Sequence, residues 1–250
     1  MEIKMARNTT SEAKPFQIFA IGGGGFTHLD DGWPADSLLE DTLVEISGPS
    51  AQAKIGYFGH ANNDNAEDIR AFHERFQHCS KTLHLPITAD ANVTKLFLSS
   101  IDILYVGGGA TSKMLLHWQL TGIDKALISA AHDGLVLAGV SAGAICWFDE
   151  LLLTTEGNKF GIFRGLGLLP GSACPHYHNE PRRKNSFDNH ILKGQLAPGI
   201  AIDDGVAVHV IDGRVHNIIK ARNNGEKAYF VNKENGRISS KLLKKGQKLG

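Results

Sequence analysis

The stretch from Gly134 to Glu150, GLVLAGVSAGAICWFDE, constrains this chain more than any other. It opens with Leu135-Val136-Leu137-Ala138, an apolar run too short for a helix and suited to a strand buried on both faces. Ala142 to Phe148 reads as the first turns of a buried helix. Between them, Gly139-Val140-Ser141-Ala142-Gly143 fits G-x-S-x-G in the strand–turn–helix setting that pattern requires. A turn this tight needs small flanking residues. It lifts the serine hydroxyl above the sheet edge and aims backbone N–H groups at whatever the hydroxyl attacks. The pattern predicts a nucleophile elbow; the plainer alternative is a glycine-rich β-to-α turn that happens to hold a serine.

The chain has 250 residues, room for one large α/β domain or two small ones. Its 26 Lys and Arg balance its 26 Asp and Glu, so no basic excess marks it for nucleic acid. No apolar run approaches the ~20 residues of a membrane helix, and residues 1–14 lack the apolar core of a secretory signal. Those residues read as a disordered tail ahead of a single domain over 15–250. Cys79, Cys146 and Cys174 show no C-x-x-C spacing, which suits a reduced cytoplasm better than disulfides or zinc.

Strands and helical segments alternate along the first half. Phe16–Ile21, Lys54–Phe58, Thr82–Leu85, Ile101–Val106 and the run before the elbow read as strands. Helices are expected over Ser37–Ile46 (Leu38, Leu39, Leu43 and Ile46 inward), Asn65–Phe76, Thr94–Ser100, Ser112–Leu120 and Ile123–Asp133. This alternation predicts a mostly parallel sheet with helices on both faces, a three-layer sandwich whose site lies beyond the strands' carboxyl ends. Gly22–Gly25, Gly107–Gly109 and Ser141 are all strand exits and belong at one edge. The first run is not a dinucleotide fingerprint, because Asp30, Asp31, Gly32 and Pro34 interrupt what should be a helix. Further on, Gly199–Ile202 is a strand, Val206–Val210 and Val215–Ile219 form a C-terminal hairpin about Asp212-Gly213, and Tyr229–Val231 is a last strand. The lysine-rich end, Lys241 to Lys248, reads as solvated.

A serine hydroxyl is neutral at neutral pH and needs a base, itself oriented by an acceptor. His176 and His178 are the candidates downstream of the elbow. As metal ligands they lack a third and fourth partner at recognisable spacing, so neither metal nor cofactor is expected.

Taken in order, GGGAT after a strand, GVSAGA, CPHY and IDDG resemble peptidase family S51, the dipeptidase E and cyanophycinase group of serine peptidases, from about Ile101 to Val210. The resemblance implies a class I glutamine amidotransferase-like (flavodoxin-like) α/β fold and a serine peptidase acting on short peptides. It puts the nucleophile on Ser141, the base on His176 and the acid on Asp204, with Asp203 as the substitute. It puts the oxyanion donors on the backbone of Gly108, Gly109 and Ala142. The order Ser…His…acid also differs from the Ser…Asp…His of α/β-hydrolases.

Two positions depart from the family. Ala110 follows the glycine triplet where Asn is usual, and the arginine with which dipeptidase E reads an acidic N-terminal residue falls near Phe187. Arg182 and Arg183, several residues earlier, either take over that reading or face water. The other class of function is a non-catalytic or drifted amidotransferase-like binding domain, which an activated-serine reagent separates from an enzyme. Preferred substrate residue and assembly, monomer or homodimer, are left open.

Overall fold

The computed structural model describes residues 14–27, 36–155, 157, 159–223 and 225–250. The expected N-terminal tail, apart from Lys14, and the Asp30–Pro34 segment lie outside the described residues. Strand β1 (Gln17–Ile21) is followed by α1 (Ser37–Ile46), β2 (Lys54–Phe58), α2 (Ala66–Arg75) and β3 (Lys81–His84). Next come α3 (Ala91–Ser99), β4 (Ile103–Val106), α4 (Thr111–Thr121), α5 (Ile123–His132), β5 (Val136–Val140) and the single turn α6 (Ala142–Ile145). The second half contains β6 (Phe148–Thr154), β7 (Phe160–Arg164), β8 (Leu169–Cys174), α7 (Pro181–Leu192) and β9 (Gly199–Ile202). It closes with β10 (Val206–Ile211), β11 (Arg214–Lys220), β12 (Ala228–Glu234) and β13 (Arg237–Leu242).

Helix starts follow local chemistry. The Asn65 carboxamide oxygen accepts the N–H groups of Glu67 and Asp68, and Asp90 accepts those of Asn92 and Val93, so each satisfies two donors that the first turn leaves open. In α1 the buried face is Leu39, Glu40, Leu43 and Val44, while Leu38 is half exposed. Glu40 is kept inside because its carboxylate accepts from Phe26 N–H (2.9 Å) and Arg75 Nε (3.0 Å). Burial nevertheless pushes its pKa up to about 7.

The first sheet has the order β11-β10-β1-β5-β4-β2-β3. Its five central and outer strands β1, β5, β4, β2 and β3 run parallel, and the β10–β11 hairpin adds antiparallel beside β1. Alternate residues bury on opposite faces: Ala20, Leu104, Val106 and Leu137 on one, Phe19, Ile21, Tyr105 and Val140 on the other. A second sheet, β13-β12-β9-β8-β6-β7, shares the first of these cores through Leu151, Leu169 and Ile200. Its far face packs through Leu152, Ala201 and Val231 against Phe187 and Ile191 of α7. Among the described residues no helix is long and apolar enough to cross a membrane.

The mostly parallel sheet and the hairpin match expectation, and the second sheet is additional. The apolar run after the elbow makes one helical turn and leaves as β6, because a short run of buried residues does not by itself distinguish helix from strand. The C-terminal end is also held: Leu243 and Leu249 are buried, and Val215 N–H donates to Gln247 O at 2.9 Å. The lysines between them, Lys244, Lys245 and Lys248, face water.

Gly139 and Gly143 bind this architecture together. A Cβ on Gly139 would lie 2.5 Å from Val106 O and 2.6 Å from Gly143 O, and a Cβ on Gly143 would run into Val106 O. Both neighbours are backbone and cannot swing aside. Gly143→Ala is expected to cost about 2–3 kcal/mol of stability by overpacking; a urea midpoint equal to that of the parent would contradict this contact.

Candidate active site

The serine, the histidine and the acid come from three strand exits, after β5, β8 and β9. Ser141 follows β5 with φ 53° and ψ −106°, a backbone conformation rare outside glycine. Such strain costs on the order of 1–3 kcal/mol and persists only where neighbours fix it. Here Ser141 N–H donates to Ile21 O (3.1 Å), and Ser141 O accepts from Ala144 (3.0 Å) and Ile145 (3.2 Å). The elbow is thus tied both to β1 and to the turn it starts.

His176, next after Pro175, also has positive φ (53°). Its carbonyl accepts from Glu180 N–H at 2.8 Å, and Tyr177 N–H donates to Ile202 O at 3.2 Å. This local fold turns the imidazole toward the elbow. His176 Nε2 lies 2.9 Å from Ser141 Oγ, and its Nδ1 lies 2.6 Å from Asp204 Oδ1. A carboxylate can only accept, so Nδ1 carries the proton and the neutral ring leaves Nε2 to accept from the serine. Asp204 N–H in turn donates to Asn179 Oδ1 at 3.0 Å.

The neighbouring carboxylate is otherwise engaged. Asp203 Oδ1 accepts from His178 Nδ1 (2.9 Å) and His178 N–H (3.1 Å), and Oδ2 accepts from Lys227 N–H (2.9 Å). Two adjacent acids therefore hold two alternate histidines, and only the His176–Asp204 pair reaches Ser141. The glycine run after β1 lies against this pair. A Cβ on Gly23 would strike the Asp204 carboxylate and sit 2.5 Å from His176 Nδ1, while Gly205 N–H donates to Gly23 O at 2.8 Å.

Gly108 lies beside Ser141; a Cβ there would be 3.4 Å from Ser141 Cβ and 4.0 Å from Oγ. Gly109 has φ 136°, and any side chain on it would collide with Ala61 O. Ala110 N–H donates to that same oxygen at 2.7 Å. Among the described residues, the N–H groups of Gly108, Gly109 and Ala142 donate to no protein acceptor. Backbone donors left without a protein acceptor are available to bind an anionic oxygen.

Arg182 and Arg183 stand in the first turn of α7. Arg183 is mostly covered, donating from Nε to Glu180 Oε2 (2.8 Å) and lying over the Phe160 ring. Arg182 is exposed. Phe187 is fully buried against Tyr177, so no polar group stands at that position. Burial pushes the Cys146 and Cys174 thiols upward, away from thiolate chemistry. Among the described residues, no three His, Cys, Asp or Glu side chains cluster as a metal ion would require. Sequence reasoning missed Gly23 as the packing surface of the couple, and also Asn179, Asp36 and Arg222. Only the unusual four-glycine run hinted at such a close approach.

The Peptidase family S51 profile matches residues 18–218. The chain belongs to peptidase family S51. It is a serine-type peptidase, a hydrolase of peptide bonds. The chain is 35% identical over 218 residues to the peptidase YgaJ of Bacillus subtilis strain 168, covering 86% of this chain and 91% of that protein. Over 82 residues it is 34% identical to Peptidase E of Streptomyces coelicolor, 32% of this chain and 34% of that one. Two solved structures share the fold. One, assigned as a peptidase E protein of Listeria monocytogenes EGD-e, has TM-score 0.58 and 18% identity over 82% of this chain and 97% of its own. The other, a peptidase from an acI-B1 Actinobacterium, has TM-score 0.59 and 16% identity over 90% and 97%.

In this S51 peptidase the turn beneath Gly109 is fixed by His60, whose Nε2–H donates to Leu85 O (3.1 Å) and whose Nδ1 accepts from Trp118 Nε1 (2.9 Å). Both contacts use the neutral ring, and burial lowers its pKa to about 4. The unfolded chain, with an ordinary imidazole, takes up this proton first. Stability contributed by His60 is therefore complete above about pH 6.5 and is lost as pH falls toward 4, about 3 kcal/mol in all. His60→Gln removes the titration, so its stability deficit against the parent should shrink steadily from pH 7 to pH 4.5; a deficit independent of pH would contradict a buried neutral His60.

Proposed function

We propose that Ser141, His176 and Asp204 are the catalytic triad of a peptidase that cleaves short peptides in the manner of dipeptidase E. The observation that carries this reading is the serial contact of hydroxyl, imidazole and carboxylate, at 2.9 and 2.6 Å. Ser141 Oγ attacks the scissile carbonyl carbon while its proton passes to His176 Nε2. Asp204 holds the ring in the Nδ1–H tautomer and stabilises the imidazolium. The N–H groups of Gly108, Gly109 and Ala142 receive the oxyanion, each contributing about 3–4 kcal/mol to the transition state. His176 then protonates the leaving amine. Water, activated by the same imidazole, clears the acyl-enzyme.

The substrate preference we propose is an acidic N-terminal residue read from the start of α7, which begins one turn from His176. Arg182 is the cation assigned to that side chain, and Arg183, tied to Glu180, holds the turn. Phe187 leaves the family's usual arginine position apolar, which moves the reading to these earlier residues.

Ser141→Ala should lower turnover of a cleaved peptide by about 10⁴-fold or more with the melting curve retained; equal hydrolysis by the two proteins would end the proposal. A dipeptide panel with Asp, Glu, Asn, Ala or Lys first tests the preference. Arg182→Met should reduce kcat/KM for Asp-first and Glu-first peptides about tenfold and leave Ala-first unchanged. A uniform profile across the panel would remove the acidic subsite and leave the triad standing.

A further inference from the structure

Behind the couple lies an ion pair that the reaction scheme does not use. Arg222, just past β11, donates from Nε to Asp36 Oδ1 (2.8 Å) and from Nη2 to Asp36 Oδ2 (2.7 Å), a two-pronged contact with both side chains largely buried. Each partner lies against a glycine that borders the couple. A Cβ on Gly205, next after Asp204, would stand 2.7 Å from Arg222 Cδ and 2.8 Å from its Nε. A Cβ on Gly24, next after Gly23, would collide with the Asp36 carboxylate and lie 3.0 Å from Arg222 Nη2. Gly25 N–H donates to Asp36 Oδ2 at 3.1 Å, and Ala221 N–H donates to Gly205 O at 2.9 Å.

We propose that the Asp36–Arg222 pair is a positioning clamp for the His176–Asp204 couple, pinning the glycine loop behind the imidazole to the turn that carries the acid. The inference rests on the triad reading. The two glycines bracket the contact of Gly23 with His176 and Asp204, so a shift of either segment moves Asp204 relative to the ring. The clamp also sets the local field. Arg222 lies close enough to feel the charge of Asp204, and Asp36 is the carboxylate that acts on it most strongly. Among the described residues, charged groups near the couple include Asp203 with His178, Glu180 with Arg183, Glu226 beside Arg222, and Glu40 with Arg75 behind Asp36.

Opposite charge changes at one clamp should therefore move the histidine in opposite directions. Asp36→Asn removes one negative charge from beside Arg222, and the acid limb of the kcat/KM profile should move down by about 0.5 pH unit. Arg222→Met leaves an uncompensated anion, and the limb should move up by a similar amount. The Asp36→Asn/Arg222→Met double variant should return the limb to its parent position while kcat stays about tenfold low, because the clamp is gone. Arg222→Lys keeps the charge without the fork, so kcat should fall with the limb in place. If Arg222→Met fails to fold, Asp36→Asn and the double variant carry the test. Limbs that stay put in both single variants, or move the same way, overturn the clamp. Fluorophosphonate labelling separates the two failures: labelled Ser141 with unmoved limbs overturns the clamp alone, and an unlabelled Ser141 in the parent overturns the triad beneath it.

Discussion

The carbonyl oxygen of Val106, at the end of β4, lies against both Gly139 and Gly143, and the site is built outward from that contact. No side chain fits between these backbones, so β5 and α6 can come so close to β4 only with glycine at both positions. The residue midway between them is forced into a positive φ, and its hydroxyl is lifted off the sheet. The same approach brings the Gly107–Gly109 exit of β4 alongside Ser141. The Ser141 hydroxyl and the glycine-rich exit of β4 are thus adjacent for one steric reason.

A second close approach brings the imidazole. Gly22 and Gly23 let the β1 exit lie against the turn after β9 and against the His176 ring. Asp203 and Asp204 then divide the work. Asp203 fastens the loop through His178 and Lys227, and Asp204 stays directed at His176. Hydroxyl, imidazole and carboxylate meet because glycine-mediated contacts on both sides leave their backbones little room to move. Loops built this way dissipate little geometry before reaction, which is what electrostatic preorganisation asks of a site.

Much of this could be read from the residues. The elbow, the parallel strands and the Asp212-Gly213 hairpin each have a local signature, and the ordered motifs led to the family. What was not legible is long-range. Ala142 to Phe148 looks helical because apolar residues continue without a break, yet the chain turns after Ile145 to start a second sheet. Nothing local marks Glu40 as the inward residue of α1 rather than Leu38; its partners Phe26 and Arg75 are distant in sequence. Asp36 and Arg222, separated by 186 positions, are likewise ordinary charged residues until the fold pairs them. Leu243 and Leu249 were hidden by the lysines around them. The choice between Asp203 and Asp204 turned on which carboxylate faces which ring, a matter of side-chain direction that adjacent identical residues cannot signal.

The central claim is that Asp204, not Asp203, holds the imidazole that touches Ser141. Proton NMR of the folded protein tests it through the Nδ1 proton of His176. A short hydrogen bond to a carboxylate should shift this proton far downfield. The resonance should vanish in Asp204→Ala and persist in Asp203→Ala. A resonance that survives loss of Asp204 and disappears with Asp203 would contradict the account.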